Sequence, residues 1–322
     1  MPIKSIPLKL IDRDDHTFSL LPFAEPPTKA LTRHIAQNGV IHPPLVKEGA
    51  DGAFRIVAGR KRLRIVGDLL KQRSCDCLVV GADLDTLSTL TLALDEALMG
   101  GPVSPLVKAC FFKKAIGLCP PDEAARRFLP LFGLSPHPVH LPKIVGLVDL
   151  EEPLARALHE GRLDDKTASA LIDLSFRDRF ALFDLIDTLR LSVMNQRKVL
   201  AICEDLAKRQ GTSIHAILAS QELKEIIDHP EANPPQKAAQ VMRTLIQQHS
   251  PDLTAAEHAF AELTCRLNLP KGFVLNHAPA FARDEVTLTI TFPNREALVT
   301  VWPELKGVLG YTPQGGAAQS GA

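Results

Sequence analysis

The sequence predicts an α+β fold with three folded parts, and three observations along the chain carry this prediction. Over residues 1–101, helical and strand periods of apolar residues alternate, as in a small α/β domain. Over 102–210 the apolar spacing is helical nearly throughout, which predicts an all-α domain, and a helical connector interrupted by prolines follows over 211–252. Over 253–310 the predicted order is helix, strand, strand, helix, and the tail 311–322 has a low-complexity composition typical of disorder.

The predicted elements of the first domain lead to a basic segment. An amphipathic helix ends at Asn38-Gly39, a strong stop signal, and two strands then flank a Gly-rich turn. Gly59 opens a basic helix, after which a short strand and a further helix complete the domain. The predicted helices and strands cover 28–37, 43–46, 54–57, 60–70, 78–80 and 85–98.

The same periodicity predicts the elements of the later parts. In the all-α domain, one helix begins at 106 and the others cover 122–131, 151–159, 166–174, 178–189 and 196–208. In the C-terminal unit, helices are predicted over 254–267 and 295–309, and strands over 272–276 and 286–292. The second strand alternates apolar and polar residues, which is typical of a half-buried strand.

The composition limits the classes of function. Lys and Arg together number 37, as do Asp and Glu, so the net charge is zero; this argues against general polyanion binding and leaves a local basic face open. The aromatic fraction of 5% disfavours stacking of single-stranded bases. The six Cys show no CxxC or zinc spacing, which predicts buried free thiols in a reducing cytosol. Without a signal core or a membrane-spanning run, we expect a soluble, cytoplasmic protein.

The segment Gly59-Arg60-Lys61-Arg62-Leu63-Arg64 is the strongest candidate for binding chemistry. A strand delivers the chain to Gly59, and the Arg and Lys side chains that follow form, with the first amides of a helix, a cradle suited to phosphate. It is not a Walker loop, because neither GxxxxGKS nor GxxxxGKT occurs in the chain. The residues alone leave a second interpretation open, a solvated basic turn.

This part of the chain resembles the N-terminal domain of ParB-type partition proteins, a fold that is shared with sulfiredoxin. The resemblance lies in Gly39-x-x-His42-Pro43, followed by Ile56-Val57-Ala58-Gly59 and the basic helix. In the family these segments bind CTP. The resemblance therefore implies a nucleotide site made of Gly39, His42, Pro43, Gly59, Arg60, Lys61, Arg62 and Arg64. Arg60 stands where the family has an acidic residue, so the charge at that position is reversed.

A third family segment, Glu-Asn-x-x-Arg, matches Glu96-Ala97-Leu98-Met99-Gly100 only at its Glu. The resemblance makes Glu96 the candidate catalytic residue and the candidate ligand for Mg²⁺, with CTP as the nucleotide. Ala97, which replaces the family's Asn, supplies none of the oxygen ligands that Mg²⁺ prefers. Whether CTP is hydrolysed is left open by this pattern.

The all-α domain is expected to carry the family's helix-turn-helix. Its first helix includes Arg126 and Arg127, and the recognition-helix position falls on 134–147. The candidate DNA-binding residues are Arg126, Arg127, His137, His140 and Lys143. Because an interior Pro removes a hydrogen bond, the recognition helix must begin near Pro142 or be kinked there. The alternative is a helical scaffold on which the two arginines are merely solvated.

The order of elements in the C-terminal unit resembles the ParB-type dimerisation domain, which implies a homodimer with Trp302 in the core or in the interface. The function implied is a ParB-like protein that binds double-stranded DNA, is gated by a cytidine nucleotide and acts at the nucleoid in chromosome or plasmid partition or in nucleoid organisation. A partition ATPase is then a further partner, and no membrane partner is expected. The alternative is a catalytically degenerate regulator or interaction protein on the same scaffold, with DNA binding weakened or lost. A kinase or nuclease on this fold would need a catalytic carboxylate or metal cluster that the sequence does not reveal.

Overall fold

The computed structural model describes residues 1–49 and 52–308 of the chain. It divides into two compact units, Met1–Met242 and the part from Arg243 onward, and each is described by itself. The predicted tail over 311–322 and the last residue of the helix predicted over 295–309 lie outside the described residues. The predicted α+β class is confirmed, because a small mixed sheet is joined to many helices.

The first unit contains a five-stranded mixed sheet. Its strands are β1 (Ile3–Pro7), β2 (Ile11–Asp12), β3 (Leu45–Glu48), β4 (Phe54–Ala58) and β5 (Ser74–Val80). Their order is β1-β5-β3-β4-β2, in which β3 is parallel to β5 and antiparallel to β4. The apolar pattern gives no sign of β1 and β2. In β1, a strand at the sheet edge, Ile6 is the one buried residue, so no alternation is present to detect.

Three helices accompany the sheet, α1 (Lys29–Asn38), α2 (Arg60–Arg64) and α3 (Thr86–Met99). The helices predicted over 28–37 and 85–98 are confirmed to within one residue at each end. The single helix predicted over 60–70 is instead divided into α2 and a π-helical turn, Ile65–Leu69. Gly67 lies in that turn, and a Cβ there would overlap the Arg13 guanidinium, which reaches Asp68 at 2.5 Å.

Between the sheet region and residue 250, the described residues form ten further α-helices. They are α4 (Pro105–Ala115), α5 (Pro121–Phe128), α6 (Leu141–Gly146), α7 (Glu152–His159), α8 (Asp165–Ile172), α9 (Phe176–Thr188), α10 (Val193–Gln210), α11 (Ile214–Leu218), α12 (Gln221–Asp228) and α13 (Pro234–His249). The connector predicted over 211–252 is helical, as expected, and α12 and α13 are separated at the prolines. None of the described helices is both long and apolar enough to cross a membrane.

One hydrophobic core joins the sheet to the first helices that follow it. Val57 of β4 and Val80 of β5 belong to the same buried cluster as Phe111, Phe112 and Phe128. The Phe111 and Phe128 rings meet edge to face, with centroids 4.8 Å apart. Burying a ring of this size stabilises the fold by roughly 1.5–3 kcal/mol. The position of α4 and α5 against the sheet is therefore set by packing, and the core continues across residue 101, where a domain boundary is predicted.

The second unit has the predicted order of helix, strand, strand and helix. Its elements are α14 (Pro251–Leu267), β6 (Phe273–His277), β7 (Val286–Ile290) and α15 (Arg295–Val308), with β6 and β7 antiparallel. No residue of α14 is buried, and Val299 and Trp302 on α15 are 70% and 50% exposed. Trp302 is thus not in a core formed by this chain, and its place in a subunit interface stays a prediction.

The thiols largely agree with the expectation of buried free cysteines. All six are free, and Cys75, Cys77, Cys110 and Cys203 are buried. Cys119 is half-buried, and Cys265 on α14 is exposed, contrary to the expectation. Burial raises the pKa of the Cys110 thiol to about 11, which keeps that thiol protonated and unreactive at neutral pH.

Asp164 connects two helices of the first unit. Its carboxylate accepts a hydrogen bond from the Thr167 amide at 3.1 Å, which caps α8, and another from Arg197 of α10 at 2.6 Å. The hydrogen bond from Arg197, only partly opposed by burial, holds the pKa of Asp164 below its ordinary value. A carboxylate whose pKa is lowered by folding stabilises the native state above the unfolded pKa, and that stabilisation is lost as the pH falls through the folded pKa.

We therefore predict that Asp164→Ala lowers the free energy of unfolding by about 1–2 kcal/mol at pH 7, the usual cost of losing a cap. Urea denaturation measures the change, with Asp184→Ala, at an exposed position on α9, as the control. The difference between wild type and Asp164→Ala should shrink as the pH falls below about 4, the pKa of an unfolded Asp. Equal losses for both variants, or a difference that does not depend on pH, would contradict this role of Asp164.

Candidate functional site

A cleft of about 700 Å³ lies where β4 ends and α2 begins, entirely within the first unit. Buried or half-buried apolar side chains line its interior, among them Phe18, Leu20, Val57, Ala93 and Val107. Charged and polar side chains line it as well, and we call them the rim: Arg13, Glu25, Arg60, Lys61, Arg62, Arg64, Asp68, Glu96 and His159. The cleft thus combines an apolar interior with charges of both signs, a common character of small-molecule sites.

Gly59 brings two of the predicted segments together. Its φ of 90° is in the left-handed region, and a Cβ at this position would lie 3.0 Å from the Cα of Pro44. The chain therefore turns from β4 into α2 at a point where the loop containing Pro44 lies directly against Gly59. Glycine meets both requirements, because it has no Cβ and tolerates positive φ.

Arg62 connects all three segments that the sequence singles out. One guanidinium nitrogen, Nη1, donates to the backbone carbonyl of His42 at 2.6 Å, and Nη2 forms an ion pair with the Glu96 carboxylate. The Arg62 side chain is only 17% exposed, so water screens these contacts weakly. The planar guanidinium suits this task because its donors point in two fixed directions at once.

The predicted nucleotide residues separate into two groups. Gly59, Arg60, Lys61, Arg62, Arg64 and Glu96 line the cleft. Gly39, His42 and Pro43 are not among its lining residues; they lie on the loop that Arg62 holds through the His42 carbonyl.

Lys61 faces a group of residues that the sequence pattern does not reveal. Its ammonium lies 3.0 Å from the carboxylate of Glu25, and that carboxylate is 3.2 Å from Nε2 of His159. The other ring nitrogen of His159 is 2.7 Å from the hydroxyl of Ser104. Burial by itself would raise the pKa of Glu25, but the hydrogen bonds and charges of Lys61 and His159 outweigh it and hold this pKa low. Glu25 is therefore ionised at neutral pH.

Arg60 turns away from the solvent and holds the N-terminal segment over the sheet. Its guanidinium donates to the backbone carbonyl of Arg13 at 3.2 Å and to that of Asp15. Burial lowers the pKa of Arg60, and the charges of Asp15 and Asp12 oppose this change. Arg13 and Arg64 both lie near Asp68, at 2.5 Å and 3.8 Å. Arg60 thus fixes the segment that forms one wall of the cleft.

The wall contributed by residues 13–25 was not anticipated from the sequence. This segment contains neither helix nor strand, so no periodicity marks it, and its role follows from contacts made far along the chain. Lys114 of α4, for example, donates to the carbonyls of His16 and Thr17 at 2.6 and 2.8 Å. The one local sign is the Asp-rich turn, in which Asp12 accepts from the amides of Asp14 and Asp15.

The side chains at Glu96 do not assemble a magnesium site. The Glu96 carboxylate is paired with Arg62, and Ala97 beside it has no side-chain oxygen. Among the residues that the structure describes, no group of three or more His, Cys, Asp and Glu is arranged to hold a metal ion. Mg²⁺ requires several oxygen ligands in octahedral geometry, so these residues do not fit the ion and no catalytic step is derived through it.

The region predicted to bind DNA consists of two short helices joined by 3-10 turns. Arg126 and Arg127 are exposed near the end of α5, and Arg127 lies over the Phe128 ring at 5.0 Å. A 3-10 turn, Pro138–His140, leads into α6, so the helix begins beside Pro142 as expected. His137 accepts a hydrogen bond from the Val139 amide and His140 contacts Ser135, whereas Lys143 is exposed.

We predict that Gly59→Ala lowers the free energy of unfolding by more than Gly211→Ala does. Both glycines have left-handed φ, and an Ala there costs about 1–2 kcal/mol. A Cβ at Gly211 would meet open space, whereas one at Gly59 would press on Pro44 and Arg62 and add roughly 1–3 kcal/mol. Thermal or urea unfolding measures both variants. Equal losses would show that the contact with Pro44 is unimportant for the fold.

Comparison with known proteins gives a structural likeness only. No protein-family model matches the chain, and no curated protein matches it either. The chain is similar to the C-terminally truncated chromosome-partitioning protein ParB from Caulobacter crescentus, complexed to the centromeric parS site. The identity is 21% and the TM-score is 0.34, and the match covers 60% of this chain and 96% of that one. The same protein complexed with CTP-gamma-S matches at 21% identity and a TM-score of 0.26, covering 58% of this chain and 99% of that one. A likeness of this degree says nothing of ligands.

Proposed function

We propose that the cleft at Gly59 binds a cytidine nucleotide, and that the chain is a dimeric, ParB-like DNA-binding protein of chromosome or plasmid partition that this nucleotide gates. The observation that carries the proposal is the position of Arg62. A single half-buried guanidinium connects the His42 carbonyl, α2 and Glu96, which are the three segments of the family's nucleotide motif. The choice of cytidine rests on the sequence resemblance.

The size and chemistry of the cleft support a nucleotide. A volume of about 700 Å³ is within the usual range for sites that enclose small molecules. Apolar residues such as Phe18 and Val107 offer a surface for a base and a sugar, while Lys61, Arg62 and Arg64 are cations suited to phosphates. The side chains would make the phosphate contacts, because α2 is only five residues long and its amides alone would not make a site.

The origin of the lining residues supports gating by the ligand. Lys61 and Glu96 come from the sheet region, whereas Val107 and His159 come from α4 and α7 of the helical part. A ligand that binds between these elements favours the arrangement in which all of them contact it, which shifts the equilibrium between conformations. Since α4 and α5 share a core with the sheet, such a shift can reach the proposed DNA-binding helices.

The second unit supports a homodimer. Several large apolar side chains are exposed on one chain alone: Val274, Val286, Leu288, Val299 and Trp302. The strands β6 and β7 form a two-stranded sheet, which by itself is of marginal stability. A second copy that covers these side chains and the open edges of the sheet would remove both weaknesses. A partition ATPase is proposed as a further partner on the resemblance alone.

A second candidate function is favoured by the same ion pairs. Lys61 is already paired with Glu25 and Arg62 with Glu96, and the residues near Glu96 do not fit Mg²⁺. On this alternative the chain is a catalytically degenerate regulator that keeps the scaffold and has lost CTP hydrolysis. The two functions differ in whether a nucleotide binds saturably.

We expect CTP to bind the full-length dimer saturably in calorimetric titration, and Arg62→Ala to weaken that binding at least ten-fold, the loss typical of a charged hydrogen bond of ~1.5–3 kcal/mol. Glu96→Gln breaks the same ion pair while keeping the cation, and it should retain or tighten binding. Arg73→Ala removes an exposed cation outside the cleft and should change nothing. Absent CTP binding by wild type would favour the degenerate regulator. Equal weakening by Arg62→Ala and Glu96→Gln would show that the ion pair maintains the shape of the cleft and that Arg62 does not bind the phosphate.

For DNA, we expect binding to a random duplex to fall steeply with salt, because phosphate contacts release counterions. Replacing Arg126 or Lys143 by Ala should each lower the slope of log affinity against log salt by about one, the value for one phosphate contact. Lys9→Ala, at an exposed position far along the chain from these helices, is the control. A flat salt dependence in wild type would rule out DNA binding of the partition type.

A further inference from the structure

Each cation of the rim that could meet a phosphate also faces an acidic side chain of the protein. Lys61 faces Glu25, Arg62 faces Glu96, and Arg64 is near Asp68. A phosphate that enters the cleft therefore meets cations that already have a carboxylate partner, and it competes with that carboxylate for their charge. The three pairs differ in how easily the carboxylate can be withdrawn, and this difference singles out Glu25.

Glu96 and Asp68 are held on regular backbone, whereas Glu25 is not. Glu96 belongs to α3 and Asp68 to the π-helical turn that follows α2. Glu25 lies in residues 13–25, which contain neither helix nor strand. Its side chain and that of Lys61 are 29% and 37% exposed, so the pair is neither locked in the core nor fully screened by water.

We propose that Glu25 competes with the ligand's phosphate for Lys61, and that it thereby determines which ligands the cleft accepts. This inference rests on the proposed nucleotide site. The carboxylate of Glu25 supplies the negative charge that Lys61 would otherwise take from a phosphate. A neutral nucleoside gains nothing from Lys61, whereas a triphosphate has enough charge to replace the carboxylate and still contact Arg62. The class of ligand selected is therefore a nucleotide with several phosphates.

The same competition has a structural consequence, because Glu25 has a second partner. Its carboxylate also contacts His159 at the end of α7, and His159 contacts Ser104, which caps α4. Phe23 packs edge to face on the His159 ring, with centroids 6.0 Å apart, and lies under the Arg156 guanidinium at 4.1 Å. A phosphate that draws Lys61 away from Glu25 weakens the attachment of residues 23–25 to α2 and leaves the segment attached to α7 through His159 and Arg156, so ligand binding is communicated to the helical part.

The first test measures the affinities of CTP, inorganic tripolyphosphate and cytidine for the full-length protein by calorimetry. Glu25→Gln keeps the size of the side chain and removes its charge, so CTP and tripolyphosphate should bind about five- to ten-fold more tightly, as expected for a partly exposed ion pair of about 1 kcal/mol. Cytidine should be unaffected, because it does not reach Lys61. Asp76→Asn removes the same charge from an exposed position on β5 outside the cleft and should leave all three affinities unchanged.

The second test uses wild type alone and does not depend on how well the variant folds. Hydrogen–deuterium exchange of the amides at residues 23–25 should become faster when CTP is added, since Glu25 is released from Lys61. Slower exchange would show that the segment closes on the ligand, which would overturn the competition.

The outcomes separate this inference from the proposed function. If wild type binds CTP and Glu25→Gln binds it equally well, Glu25 does not compete and the nucleotide site stands. If Glu25→Gln binds CTP and wild type does not, a triphosphate cannot replace the Glu25 carboxylate, which overturns the inferred selectivity and also counts against CTP as the ligand of the wild-type protein. If neither protein binds CTP or tripolyphosphate, the nucleotide site fails and the inference fails with it. Weaker binding of cytidine by Glu25→Gln would indicate that the substitution distorts the cleft. It would then count against the proposal that Glu25 affects ligands through Lys61 alone.

Discussion

The arrangement of the cleft depends on one guanidinium that satisfies two partners from different parts of the chain. Arg62 donates to the His42 carbonyl and pairs with Glu96, while it starts from a helix that Gly59 has turned against Pro44. A buried or half-buried charge is costly to leave unpaired, so these partners constrain one another. The loop, α2 and α3 therefore keep a fixed relation, and the residues that line the cleft are positioned by it.

Positive and negative charges balance one another at this site, as they do over the whole chain. The basic run 60–64 does not face the solvent as a positive patch, because acidic side chains from three other places approach it: Glu25, Asp68 and Glu96. A site with cations already paired discriminates against weak anions, since any ligand must offset the lost internal pairs.

Apolar packing and polar contacts both position the helical part against the sheet region. The aromatic cluster of Phe111, Phe112 and Phe128 joins α4 and α5 to the sheet through one continuous core. Polar contacts then fix the segment over residues 13–25, which Arg60 and Lys114 hold by its backbone carbonyls. The cleft therefore has an apolar core on one side and, on the other, a segment held by hydrogen bonds. It can open first at the side of that segment, because exposed hydrogen bonds contribute little stability.

The sequence by itself determined the α+β class, most helices, the order of the C-terminal unit and the basic segment after Gly59, because these follow from local periodicity and local stop signals. Helix α1 and the turn at Gly59 are examples, since a cap or a glycine marks each of them. Only the tertiary structure decided the pairing of Arg62 with Glu96 and the approach of Glu25 and His159 to Lys61. Those contacts join residues 34 to 134 positions apart, and the irregular segment that carries Glu25 has no period to reveal it.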